Sequence, residues 1–355
     1  MKYLSISRWL RPFMAPIALA FAPALVSAQS VEGTSYYLPR AVANFTVKVE
    51  KTHYEPGRFA AYARIYLRQN VSLEPVTAYR LIGLDMTQTA ERDTAKHFVL
   101  QIDKKHSISN VALTDNGQLL AINADDKAPV ISLPSFTPAA RPAALNPNDY
   151  MSADILSAGS SSKMAELSAH EIYDIRDSRN QLSRGEADFM PKDGAQLKMM
   201  LAHLDEQEAA LTQLFCGTTT RDTVWTTISF VPQKEGKEVL FRFSKYLGLV
   251  DPDDLAGEPY YINVEDLHTL TEAAAPDKEK KDDKEDIGLR VSQPGKIRLT
   301  VGHDDSEPTT YEILAPQFGT TEAISGELFG KKQSSRITLN PLTGSIRSIE
   351  KISTE

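Results

Sequence analysis

Asp251, Asp253, Asp254 and Glu258 crowd into one stretch, "RFSKYLGLVDPDDLAGEPYYI" (242–262), and carboxylates at that density are ligand chemistry for a hard cation such as calcium. They lack the alternating D-x-D-x-D-G spacing that wraps a loop around the ion. Each conspicuous residue also has a structural task. Asp251 suits the N-cap of a single helical turn, with Pro252 at its first position and Asp253 and Asp254 at its positive end. Gly257 releases the chain, and Pro259 stands at the start of the next strand, where a missing N–H costs little. No metal is assigned here. A second acidic group, His303-Asp304-Asp305, reads as a hydrophilic tip between two strands.

Nucleophilic and nucleotide chemistry find less support. His53, His97, His106, His170, His203, His268 and His303 form no H-E-x-x-H pair, which argues against zinc. There is no G-x-S-x-G elbow, and Ser160 to Ser162 fall in a Ser-rich segment unsuited to aligning a nucleophile with its base. Phosphate-binding glycine loops are missing as well. Cys216, the sole cysteine, ends an amphipathic stretch before Gly217 and reads as a small helix-end residue with no base to activate it. No catalytic, cofactor-binding or metal residue is therefore named. Two facing carboxylates, as in glycosidases, stay open, because only the fold sets their separation.

The elements that would position such groups are mixed. "ANFTVKV" places Phe45, Val47 and Val49 on one side of a strand, and "GRFAAYARIYL" has helical spacing. "YRLIGLDMTQT", "KHFVLQI" and "ISNVALTDNGQLLAIN" predict further strands, the last folded at Asn116-Gly117, where a two-residue hairpin turn demands positive φ at both positions. Residues 124–163, rich in Pro, Ala and Ser, read as a linker. Two helices follow. The first carries Leu167, Ile172, Ile175 and Leu182 and stops at Gly185; the second starts at Asp193 and carries Leu197, Leu201, Leu204, Leu211 and Phe215. They predict an αα-hairpin laid on a sheet. Strands resume with Val224, Thr226, Ile228 and Phe230 and continue to the end, interrupted by a charged insertion over 272–287. "VALTDNGQLLAI" and "ITLNPLTGSIRSI" share a plan and predict related hairpins closing two lobes.

The predicted class is α+β: a β-rich N-terminal lobe with one short helix (29–123), the linker (124–163), the αα-hairpin (164–216) and a β-rich C-terminal lobe (217–355). Residues 1–28 read as a secretory signal. Lys2, Arg8 and Arg11 precede an apolar run, and Val26-Ser27-Ala28 fits a cleavage site. That run is shorter than the roughly 20 residues of a membrane span. The expectation is an exported protein, periplasmic or on the cell surface, with no stable membrane span once the signal is removed. With one cysteine it has no intrachain disulfide, and no cysteine follows the signal to take a lipid. A formal charge of −8 and a pI near 5.5 exclude a nucleic-acid partner held by counterion release.

Three segments carry a family likeness: "YYLPRAVANFTVKVEKTHYEPGRFAAYARIYL", "SRNQLSRGEADFMPKDG" and "LFRFSKYLGLVDPDDLAGEPYYI". Together they resemble a family of uncharacterised exported Bacteroidetes proteins, a domain of unknown function, from about Tyr36 to near the end. The resemblance implies export and a shared fold, and no activity, cofactor or site residue.

The functional expectation is a non-catalytic binding or structural protein of the cell envelope, with an envelope protein or glycan as partner. Tyr36, Tyr37, Tyr260 and Tyr261 are the aromatics expected to stack on glycans or peptides, against a competing role in packing. The alternatives are a carboxylate-dependent hydrolase of polysaccharide or peptide, and an envelope assembly chaperone offering a strand edge.

Overall fold

The computed structural model describes residues 33–101, 105–138, 140, 143–270, 286–304, 307–330 and 334–352. The stretch expected to be an export signal, Asp305 and most of the charged insertion lie outside the described residues. In chain order the elements are β1 (Ser35–Glu55), α1 (Ala60–Tyr66), β2 (Val76–Val99), β3 (Val111–Leu113), β4 (Leu119–Ile122), α2 (Ala153–Leu156), α3 (Ser161–Arg184) and α4 (Gly194–Cys216). There follow β5 (Thr218–Phe230), β6 (Gly236–Ser244), β7 (Gly248–Val250), β8 (Glu258–Asp266), β9 (Asp286–Gly302), β10 (Thr309–Ser325), β11 (Ser334–Leu339) and β12 (Ile346–Ile352). This is an α+β protein of antiparallel sheets, as the sequence predicts. Among the described residues no helix is long and apolar enough to cross a membrane.

The strands form three sheets, ordered β2-β1-β5, β10-β9-β8-β6-β7 and β12-β11-β4-β3. β1 is the spine. Its Phe45, Val47 and Val49 alternate onto one face, as predicted, and meet Phe241, Ile262, Leu299 and Val301 of the five-stranded sheet in one core. The start of β1 joins a second core, where Tyr36 and Leu38 pack with Leu289, Leu119 and Ile337. β9 also serves both cores, through Leu289 and Val291 before the bulge of its partner β10 and Ile297 to Val301 after it.

Several expectations change in detail. The strands predicted over 79–89 and 96–102 are one strand, β2, because β1 is long enough to pair along both and takes up the mismatch in a bulge opposite Tyr37 and Pro39. The hairpin joining β3 to β4 is not a two-residue turn. Gly117 N–H returns to the Thr114 carbonyl at 2.9 Å and only Gly117 has positive φ (78°), a three-residue loop with a glycine bulge. The two similar stretches lie in one sheet rather than closing two lobes. β4 and β11 pair side by side, so the two hairpins form one continuous sheet.

The helices do not lie on a sheet. α3 and α4 enclose their own core with α1 and α2, built on Phe59, Ile155, Ile172, Leu211 and Phe215. Asp193 caps α4 by accepting from Ala195 N–H at 3.0 Å, and Gly185 closes α3. Only the second half of the predicted α4 stripe is buried, through Leu211 and Phe215, because α1 and α3 cover that end. Across the hairpin, Glu208 receives Arg176 at 2.5 Å and Arg179 at 2.6 Å. The helical unit joins the β body where the β1–α1 turn meets the end of α4, with Phe59 N–H donating to the Leu214 carbonyl at 2.6 Å.

At the other end of β1 a polar knot closes the second core. The buried Tyr36 hydroxyl donates to the Gly288 carbonyl at 3.0 Å and accepts from Arg290 N–H at 2.6 Å. Arg290 grips both oxygens of Asp286 at 2.7 and 2.6 Å, and this contact, with a further bond from Gly288 N–H, holds the Asp286 carboxyl below the usual carboxylate range. A carboxyl depressed in the fold contributes stability that is present above its unfolded value, near 4, and lost as pH falls through its folded value. The stability gap between wild type and Asp286→Asn is therefore expected to hold at neutral pH and close as the medium is acidified below about pH 4. Urea midpoints across that range test this, and a gap that widens on acidification contradicts it.

Candidate functional site

The aromatic stretch 242–262 builds the rim of a concavity of about 440 Å³ where the edge of the three-stranded sheet meets the β6–β7 hairpin. β6 and β8 supply Phe243 and Tyr260; the turn between β6 and β7 supplies Lys245 and Tyr246; β2 supplies Tyr79 and Arg80. The seam is closed by a backbone bond, Tyr79 N–H to the Lys245 carbonyl at 2.8 Å. Tyr79 lies so close to Gly248 that a methyl group at 248 would sit 3.0 Å from its ring, so glycine lets the two sheets meet here.

The rings of this concavity are braced by their neighbours. Tyr260 stacks on Phe241 with ring centres 4.7 Å apart and planes 11° apart. Burial, with Glu258 adding to it, raises the Tyr260 phenol above its ordinary value, so it stays a neutral donor. Tyr246 stands 65% exposed at the tip of its turn. Charge on the rim is uneven. Arg80 pairs with Glu50 at 3.1 Å, and Glu258 lies 3.5 Å from His303, whereas among the described residues the Lys245 ammonium meets the Tyr246 ring, 5.0 Å from its centre, and no carboxylate.

The residues singled out from sequence are scattered. Asp251 and Asp254 close tight turns rather than starting a helix: Asp254 N–H donates to the Asp251 carbonyl at 2.9 Å, and the Asp254 carboxylate accepts from Ala256 N–H at 2.9 Å. Arg242 fastens that loop through the Pro252 and Gly257 carbonyls, which replaces the helical hydrogen bonding expected there. Among the described residues no three His, Cys, Asp or Glu side chains gather as a metal site would require. Asp304 pairs with Lys237 at 3.7 Å. The Cys216 thiol donates to Gln69 at 2.7 Å, and burial pushes its pKa up, opposite to what an attacking thiolate needs. Ser160 is the N-cap of α3, accepting from Lys163 N–H at 3.2 Å.

The four tyrosines separate. Tyr36 is fully buried, not exposed, because β9 and Phe98 close over it. Tyr37 is half-buried against His97. Tyr260 faces the aromatic concavity, while its neighbour Tyr261 points to the other side of the sheet, into a smaller hollow of about 310 Å³ with Lys237 over its ring. Tyr79, Arg80, Lys245 and Tyr246 were not singled out by sequence. The available signal was Tyr246-Leu247, two large apolar residues at a turn between short strands, where polar residues are usual.

A larger hollow, about 520 Å³, lies on the β12-β11-β4-β3 sheet and carries Asp125 and Glu350. It has no aromatic wall, and four of its polar residues pair with one another: Asn110 donates to Asp125 at 2.6 Å, and Thr338 and Ser348 share a bond of 2.7 Å. Elsewhere, Asp286, Glu312 and Glu166 are pulled below the usual carboxylate range by Arg290, by Lys296 and Arg298, and by Lys163. Those are ion-pair environments, not the raised pKa of a general acid.

No curated protein and no solved structure matches the chain. A family model does match, over residues 32–347, and the segments that carry the sequence likeness fall inside that span. The chain thus belongs to the family described as a domain of unknown function, DUF4831.

Proposed function

We propose that this is a non-catalytic, exported binding protein of the cell envelope, of the Bacteroidetes type its sequence resembles, and that its ligand seats in the aromatic concavity between β2 and the β6–β7 hairpin. One observation supports this above the rest: Tyr79, Phe243, Tyr246 and Tyr260 converge from two sheets on one open hollow with charged groups at its rim. That combination of apolar faces and a few polar groups is the usual make-up of a ligand site. An envelope glycan or protein fits it. The test is retention of envelope components by immobilised protein: Tyr246→Ala is expected to lose most of the specifically retained material while keeping the wild-type circular dichroism spectrum. Equal retention by both proteins removes the proposed site.

A second function, assembly of a client by strand addition, draws support from β5. This strand of 13 residues has β1 as its only strand neighbour among the described residues. Arg221 and Asp222 place charges on it, and Phe136 from the Pro/Ala segment stacks on its Trp225 with ring centres 5.3 Å apart, so the edge is guarded. The aromatic concavity is the better-supported site.

A further inference from the structure

Resting on that site, we infer that the ligand is a carbohydrate bearing acidic groups, with a sugar ring laid on Tyr246 and its neighbours and a carboxylate or other anion against Lys245.

The backbone argues against a peptide. Strand addition needs a run of free N–H and C=O groups, yet at this rim the Tyr79 N–H is already bonded to the Lys245 carbonyl at 2.8 Å and β7 is only three residues long. The aromatic side chains then decide what can bind. Tyr260 is backed by Phe241, and Tyr79 by the backbone at Gly248, so their rings are held as walls rather than free to wrap a side chain. A rigid aromatic surface favours a flat apolar partner, and the C–H face of a pyranose is one, with hydroxyls at its perimeter. Those hydroxyls would meet Arg80, Glu258 and the Tyr260 hydroxyl, all of which line the hollow.

Charge selects among sugars. Arg80 pairs with Glu50 and Glu258 lies against the His303 ring, whereas among the described residues Lys245 has no carboxylate within ion-pair distance. An anionic group on the ligand would pair with Lys245, and an ammonium over an aromatic ring still attracts it. Lys245 is exposed, so its contribution is screened by salt and falls as ionic strength rises.

Calorimetric titration of the full chain with tetragalacturonate, beside neutral cellotetraose and an acidic peptide, tests the inference. Tetragalacturonate is expected to bind more tightly than cellotetraose. Tyr246→Ala should weaken it about tenfold, and Lys245→Gln should reduce affinity and flatten its dependence on salt. Both side chains are exposed, so the variants should fold. Equal binding of the two sugars, or indifference to Lys245→Gln, overturns the acidic-carbohydrate assignment. So does binding of the peptide alone. If that peptide binding is lost in Tyr246→Ala, the concavity remains the ligand site; if it is not, both conclusions fail. Absence of heat with all three probes also overturns the carbohydrate assignment, while retention of envelope material that depends on Tyr246 judges the site separately.

Discussion

Gly217→Ala is expected to lose at least about 3 kcal/mol of folding stability. Gly217 sits between α4 and β5 at φ 71° and ψ −169°, a region essentially reserved for glycine. A methyl group there would also lie 2.1 Å from the Glu55 carbonyl oxygen and 3.0 Å from the Gly57 nitrogen, both backbone atoms that cannot swing aside. Strain and clash therefore act together at a joint that carries the helical unit on the end of β1 and β5. A domain of this kind is stable by only about 5–15 kcal/mol, so this change alone takes a large share. Gly159→Ala is the control: its φ is ordinary and nothing lies within 4 Å of an added methyl, so a change within about 0.5 kcal/mol is expected. Urea midpoints of the two variants decide the matter. Equal losses would mean the joint tolerates displacement and does not fix the helices.

Phe45→Ala should lose a similar amount, about 3–5 kcal/mol. Phe45 is fully buried in the middle of β1, edge-on to Tyr311 at 5.9 Å, and it fills space between the three-stranded and five-stranded sheets. Removing its ring leaves a cavity that two sheets, each tied by its own hydrogen-bond ladder, cannot collapse to fill. Phe215→Ala should be comparable, because Phe215 is equally buried and packs on Phe59 in the helical core. The two cores have no residue in common, so the double variant should show the summed loss within about 0.5 kcal/mol. A larger departure from additivity would show that sheet and helix packing are coupled through the Gly217 joint.

What the sequence made legible follows from the range of each interaction. Alternation placed Phe45, Val47 and Val49 on one face, and capping placed the starts and stops at Asp193 and Gly185, because these signals are local. Burial of Tyr36 is set by Gly288 and Arg290, far along the chain, and no local pattern reports it. The helical pair looked like a layer for a sheet because its apolar stripe is visible in sequence while the residues that cover it, such as Phe59 and Ile155, are dispersed. The candidate site was half legible. The 242–262 stretch was conspicuous, yet its acidic residues close a loop, and the aromatic wall is completed by Tyr79 through one long-range backbone bond.

Ligand contact is proposed to occur at the β2/β6–β7 concavity. Its most direct test is a photo-reactive amino acid placed at position 246, with a second at exposed position 347 of β12, which does not line the concavity, each exposed to envelope extract under ultraviolet light. A discrete adduct is expected at 246, suppressed by excess unlabelled wild-type protein, and none at 347. Labelling confined to 347, or equal at both positions, would contradict it.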